Sequence, residues 1–181
     1  MRALHMVALG VGLAAATATG LEAQSENAVP PEAIDPSWLQ TNAATKTVTF
    51  QLTAGLTPLN GALNFNGFRD GGLTVTVPDQ WTMVWDFENH DGMLPHSAEV
   101  VADRMPVPTA SVTPAIARAY TDRLDQGIPP LGKDRDPFTA TPAGQYLIIC
   151  GVPGHALAGM WIRLKVSSTA TEPAMEVTPV K

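Results

Sequence analysis

The sequence predicts an all-β Greek-key sandwich with one short inserted helix, and three observations carry that reading. Short runs alternate apolar and polar residues with period two, the signature of strands that bury one face. One run, Tyr146-Leu147-Ile148-Ile149-Cys150, is apolar throughout, as a strand in the middle of a sandwich would be. A single segment between these runs carries a helical period instead. Many short strands with one helix bury their apolar faces best as two packed sheets.

The elements follow in chain order. Lys46–Leu52 alternates and forms an early strand. Leu73, Val75 and Val77 share one face of the next, and Pro78-Asp79-Gln80 turns the chain. Trp81, Met83, Trp85 and Phe87 then line one face of a strand over 81–87. Ser97–Val101 and Trp161–Val166 are further strands, the latter closing the domain. The helical segment is Thr113–Leu124. Thr113 can cap it and Pro114 fits the first helical position. Ile116, Ala119, Tyr120 and Leu124 would share its buried face. No internal repeat is visible.

The chain has 181 residues, enough for one domain with a sizeable core. With 45% apolar and 15% charged residues it is neither a disordered chain nor a multi-span membrane protein. Its net charge of −6 comes from scattered acids with no basic block, which argues against a nucleic-acid partner. Residues 1–23 read as a cleavable signal peptide: Arg2 is the charged start, Val7–Ala16 the apolar stretch and Ala23 the last residue before the cut. That stretch is shorter than the about 20 residues a membrane span needs. Retention as an N-terminal anchor is the alternative. Residues 24–37, with Pro30, Pro31 and Pro36, read as a linker, 38–166 as the folded unit, and the Ser/Thr/Pro/Glu-rich 167–181 as a flexible tail. The expected location is therefore outside the cytoplasm, periplasmic or extracellular.

Cys150 is the only cysteine, so no internal disulfide is available. A lone cysteine in an exported protein is a buried hydrophobe, an intermolecular bridge or a metal ligand. Its neighbours decide. Cys150, His155 and Met160 have the spacing Cys-x4-His-x4-Met, which puts a thiolate, an imidazole and a thioether in one loop. A second histidine, His96, stands in Leu94-Pro95-His96-Ser97. Two His, one Cys and a weak axial Met are the donors of an electron-transfer copper site: the thiolate suits Cu(I), imidazoles suit both oxidation states, and the thioether tunes the potential. Zinc can take the same Cys and His donors, and the Met is what favours copper.

These residues carry a family resemblance. Leu63-Asn64-Phe65-Asn66-Gly67, Leu73–Pro78, Leu94–Ser97 and the Cys150–Met160 loop together resemble the cupredoxins, and within them the sulfocyanins, with the rusticyanins related. The resemblance spans about residues 64–166. It implies a cupredoxin fold with one copper ion held by His96, Cys150 and His155 as equatorial ligands and Met160 as the axial one. It implies transient contact with respiratory redox partners, through an apolar patch of Pro153, Ala156, Leu157 and Ala158 around His155. Ser97 takes the place where many cupredoxins have Asn, a position that ties the two ligand segments together; rusticyanin is similar to this chain there. This, with apolar Leu94, Val152, Leu157 and Trp161, points to a comparatively high potential. Archaeal sulfocyanins are attached to membranes by an N-terminal segment; the signal expected here departs from that.

The expected function is thus a monomeric, non-enzymatic carrier of single electrons. A periplasmic copper-handling protein is the alternative, although it would need yielding Met- or His-rich clusters that this chain lacks. A multicopper enzyme needs more histidines: His5 falls in the signal, leaving His90, His96 and His155. His90, in Asn89-His90-Asp91-Gly92, reads as a surface residue of a polar turn rather than a ligand.

Overall fold

A computed structural model describes residues 34–180. The signal peptide and most of the linker expected from the sequence lie outside the described residues. Among those described, nine strands form: β1 (Leu39–Asn42), β2 (Thr47–Ala54), β3 (Leu73–Pro78), β4 (Trp81–Asn89), β5 (Glu99–Ala102), β6 (Lys133–Ala140), β7 (Gly144–Ile149), β8 (Trp161–Ser167) and β9 (Ala174–Val177). They make one sheet in the order β1-β2-β4-β6 and a second in the order β5-β7-β8-β3-β9. The β2–β4 and β3–β8 pairs are parallel, so the chain crosses between sheets, as a Greek key must. The expected sandwich is what the chain adopts.

Period two explains the core. Val48, Phe50, Leu52 and Ala54 of β2, Trp81, Met83, Trp85 and Phe87 of β4, and Leu73, Val75 and Val77 of β3 all turn between the sheets and are buried. Trp85 meets Phe138 of β6 edge-on, with centroids 5.2 Å apart. The apolar run of β7 needs both faces covered, and gets them. Tyr146 and Ile148 enter the main core, while Leu147 and Ile149 join a smaller cluster with Val101, Val107, Ala156 and Trp161.

Three strands escaped the periodicity reading, and each closes a sheet edge. β1 and β6 carry exposed polar and charged residues, and β6 contains Pro137, which an edge tolerates. β9 lies in the segment expected to be a flexible tail. It pairs with β3, from Leu73 opposite Val177 to Thr76 opposite Ala174, and Met175 and Val177 pack on the core. At the other end, Ile34 and Trp38 also pack on the core, and Asp35 caps a short 3₁₀ turn at Pro36–Trp38, so the domain starts before residue 38.

The expected helix over Thr113–Leu124 does not form. Its backbone is spent on β5 and the residue before it instead: Ala115 N–H donates to Val100 O, Val100 N–H to Ala119 O, and Thr121 N–H to Ala98 O. Arg118 and Arg123 have φ of 64° and 57°, which break any helical run. Ile116 and Ala119 are buried as their pattern suggested, but by an irregular segment lying along the edge strand. Tyr120 is exposed.

β9 should contribute stability by satisfying the β3 edge and covering core side chains. A chain ending at Ser168 is expected to lose about 2 kcal/mol, or about 4–8 °C in Tm, on thermal unfolding followed by circular dichroism. An unchanged Tm would show that β9 adds nothing.

Candidate metal centre

The Cys150–Met160 loop is built by its own backbone. Cys150 N–H donates to Met160 O at 3.1 Å, continuing the β7–β8 ladder one pair past Ile149 and Trp161. Within the loop, Met160 N–H donates to His155 O at 3.0 Å and His155 N–H to Val152 O at 3.1 Å. Gly159 has φ +97°, and a Cβ there would lie 2.7 Å from Asp70 Oδ1, so only glycine fits. Neighbouring segments clamp the loop: Asp70 N–H donates to Gly159 O, Asn60 Nδ2 to Ala158 O, and Gly154 N–H to Thr109 O.

The loop meets His96 in the core. One ligand atom each from His96, Cys150 and His155 lies within 4.8 Å of the others, a grouping that can hold one metal ion. Cys150 Sγ is 3.5 Å from His155 Nδ1, and the two imidazole rings are 5.1 Å apart. His96 and Cys150 are fully buried, and His155 is partly exposed. Met160 is fully buried beside Cys150 in the main core cluster, and its backbone is bonded to both Cys150 and His155.

Ser97 joins the His96 and Cys150 segments. Its N–H donates to Cys150 Sγ at 3.4 Å, its Oγ donates to Leu124 O at 2.7 Å, and the same Oγ accepts Gly151 N–H at 3.1 Å. The Asn-Phe-Asn-Gly stretch acts elsewhere. Asn66 bonds Thr53 and Gln51 of β2, not a ligand, and Asn64 ties Thr57 and Leu59. His90 is a surface residue paired with Glu88 at 3.2 Å. In the expected apolar patch, Pro153, Leu157 and Ala158 are exposed, but Ala156 is buried beneath the loop and does not belong to it.

The residue that periodicity and spacing missed is Asp91. Its Oδ2 lies 3.1 Å from His96 Nε2, while its Oδ1 accepts the N–H of Met93 at 2.8 Å and of Leu94 at 3.1 Å. The sequence signal was an Asx turn, which announces one oxygen's work and is silent on the other's. His96 Nδ1, buried, has no hydrogen-bond partner among the described residues. Such an orphan is costly unless something else fills the position, and a cation would.

Burial dominates the titration of the three grouped side chains. Burial pushes the Cys150 thiol up to about 11, against the pull of the Ser97 and Val152 N–H groups. Burial also lowers both imidazoles, opposed at His96 by the Asp91 bond and charge and reinforced at His155 by the His96 charge. Both are therefore neutral at pH 7, the form that ligates. Burial works against the Asp91 charge, but the bonds from Met93, His96 and Leu94 outweigh it and hold the carboxyl below its usual range. On β5, Glu99 is fully buried and accepts Val112 N–H at 3.1 Å. Burial pushes it up to about 7, the Val112 N–H pulls it down and Asp125 adds to the rise.

Residues 36–177 match the sulfocyanin (SoxE) domain family. A sulfocyanin from Sulfolobus acidocaldarius is 28% identical over 139 residues, covering 73% of this chain and 69% of that protein. Among solved structures, reduced rusticyanin determined by NMR is 28% identical, covering 67% of this chain and 77% of its own, with a TM-score of 0.50. Dithionite-reduced auracyanin from the photosynthetic bacterium Roseiflexus castenholzii is 22% identical, covering 66% of this chain and 96% of its own, with a TM-score of 0.49.

Two outcomes test this geometry. Ser97→Ala leaves the Gly151 N–H without its acceptor and should cost about 2 kcal/mol in denaturant unfolding of the metal-free protein; a loss within error would mean that Ser97 does not join the segments. Glu99 binds a proton in the folded state between about 4.5, its ordinary value, and about 7. The folded chain then holds more protons than the unfolded one, so this group's contribution to stability falls as pH rises through that window. The stability of Glu99→Gln relative to the parent should therefore improve from pH 5 to pH 7, and a pH-independent difference would refute the assignment.

Proposed function

The chain belongs to the sulfocyanin (SoxE) family, and from that premise we propose that it is a mononuclear type 1 copper protein that carries single electrons. His96, Cys150 and His155 would hold the copper ion, with Met160 as a further, weaker donor. The observation that carries this reading is the grouping of the three donors within 4.8 Å, with His96 Nδ1 buried and otherwise unpartnered. The donor set fits copper: one soft thiolate, two neutral imidazoles and a thioether residue in the adjoining chain. When bound, the ion would supply the one-electron Cu(II)/Cu(I) couple.

The rest is the work of the chain. Backbone bonds across Cys150, His155 and Met160 brace the loop that carries three of the donors, a frame suited to keeping them in place as the oxidation state changes. The buried core excludes water from Cys150 and Met160. His155, partly exposed, is the route by which an electron enters or leaves. Around it, Pro153, Leu157 and Ala158 present apolar surface, and the adjoining 91–94 turn exposes Met93 at 85%. Such a patch suits a small, transient redox encounter rather than a permanent complex. The full burial of His96, Cys150 and Met160 favours the less charged Cu(I) and so a comparatively high potential. The site works outside the cytoplasm, in a protein exported by the signal expected at residues 1–23. Among the described residues, no helix is long and apolar enough to cross a membrane.

Copper handling is the competing reading. A chaperone site must release its ion, whereas this thiol is buried between clamped strands. Titration of Cu(II) into the purified chain, read by visible absorption and EPR, separates the two. Electron transfer predicts an intense thiolate-to-copper band, one copper per chain, and loss of the band in Cys150→Ser. Weak, colourless and labile binding would overturn it. A low potential in the loaded protein would refute the high-potential assignment alone.

A further inference from the structure

We infer that Asp91 is a positioning residue for the metal site: it sets the His96 tautomer so that Nδ1 is the free donor, and its carboxylate draws the reduction potential downward. The inference rests on the copper reading for its second half only.

The first half follows from hydrogen-bond accounting. His96 is fully buried and has two ring nitrogens. A neutral imidazole carries one N–H, and an ionised carboxylate only accepts. With Asp91 Oδ2 at 3.1 Å, the proton belongs on Nε2. The lone pair then falls to Nδ1, which has no other partner among the described residues. The opposite tautomer would set a lone pair against the carboxylate and leave a buried N–H with no acceptor, and both are costly.

Asp91 is itself held in a closed circuit. Asn89 Oδ1 accepts the Asp91 N–H at 2.9 Å. Asn89 Nδ2 donates to Leu94 O at 2.9 Å and to Ile128 O at 3.0 Å. Ile128 in turn exchanges both backbone bonds with His96, at 3.1 and 2.7 Å. The path Asn89–Asp91–His96–Ile128 returns to Asn89, so the carboxylate and the imidazole share one rigid frame. Gly55 presses on that frame. It has φ +65°, and a Cβ there would lie 3.0 Å from Asp91 Cβ. Outer partners of this kind orient a ligating histidine and raise its basicity.

The second half follows from charge. Among the described residues, Asp91 is the one charged side chain bonded to a proposed ligand, and it is only 8% exposed. A negative charge that close, and that poorly screened, stabilises the more positive oxidation state. Asp91 thus opposes the burial of His96, Cys150 and Met160, and the potential of this chain is the balance of the two.

The experiment has two arms. In the metal-free wild type, ¹⁵N NMR of the His96 ring should show the Nε2–H tautomer; an Nδ1–H tautomer would overturn the positioning role. In the copper-loaded protein, Asp91→Asn should shift the Cu(II)/Cu(I) affinity ratio about tenfold toward Cu(I), an upward move of about 59 mV. Asp86→Asn, which removes an exposed carboxylate from β4, should leave the potential in place. Asp91→Ser, whose hydroxyl can still accept from the Met93 and Leu94 N–H groups, serves if the Asn variant does not fold, with the same expectation. A potential unmoved in the folded Asp91 variant, or moved equally by Asp86→Asn, would overturn the charge role. A wild type that binds no copper would refute the copper reading and leave the tautomer result standing.

Discussion

Strand β7 has no face to spare for water. Tyr146 and Ile148 fill the space between the sheets, while Leu147 and Ile149 need a second, outer cover from Val101, Val107, Ala156 and Trp161. The constraint is energetic as well as geometric, since each fully buried aliphatic side chain is worth about 1.5–3 kcal/mol. Meeting it forces β7 into the interior of its sheet and draws the long segment after β5 across the outer face. Cys150, the next residue, is carried into the core by the same alternation that buries Tyr146 and Ile148. The site is thus placed by packing before any metal chemistry is considered.

The centre combines three environments that pull in different directions. Desolvation keeps the thiol and both imidazoles uncharged. The hydrogen bond from Ser97 N–H to Sγ favours the thiolate. The Asp91 carboxylate adds a fixed negative charge on the far side of His96. Hydrogen bonds within the fold hold the positions of His96, Cys150 and His155. Backbone bonds set the loop, and Ser97 sets its distance from His96.

What was legible in the sequence was what repetition or rare chemistry announces. β2, β3, β4 and β8 each bury one face, and their alternation is plain in Val48–Ala54 or Trp81–Phe87. The loop was legible because Cys, His and Met seldom share a short Gly- and Pro-rich stretch. β1, β6 and β9 were hidden because an edge strand has half its environment in water, so Lys133–Pro137 reads as a polar loop. The Thr113–Leu124 segment misled for a complementary reason: Ile116 and Ala119 are indeed buried, and spacing alone cannot tell a helix from a chain laid along β5. Asp91 was hidden because its partnership with His96 depends on where a turn folds back. Ala156 looked like surface because its neighbours in the loop are surface.

The complete burial of Cys150 also bears on the life of the protein before any ion arrives. Oxidation of cysteine begins at the exposed thiolate, and disulfide exchange needs access to the sulfur. Here both are denied: the sulfur has no solvent exposure, and burial pushes its pKa to about 11. A newly folded, metal-free chain is thereby sheltered, wherever it meets an oxidant, from sulfenic acid formation and from covalent dimerisation. The packing that places the thiol for its partner also preserves it in the interval.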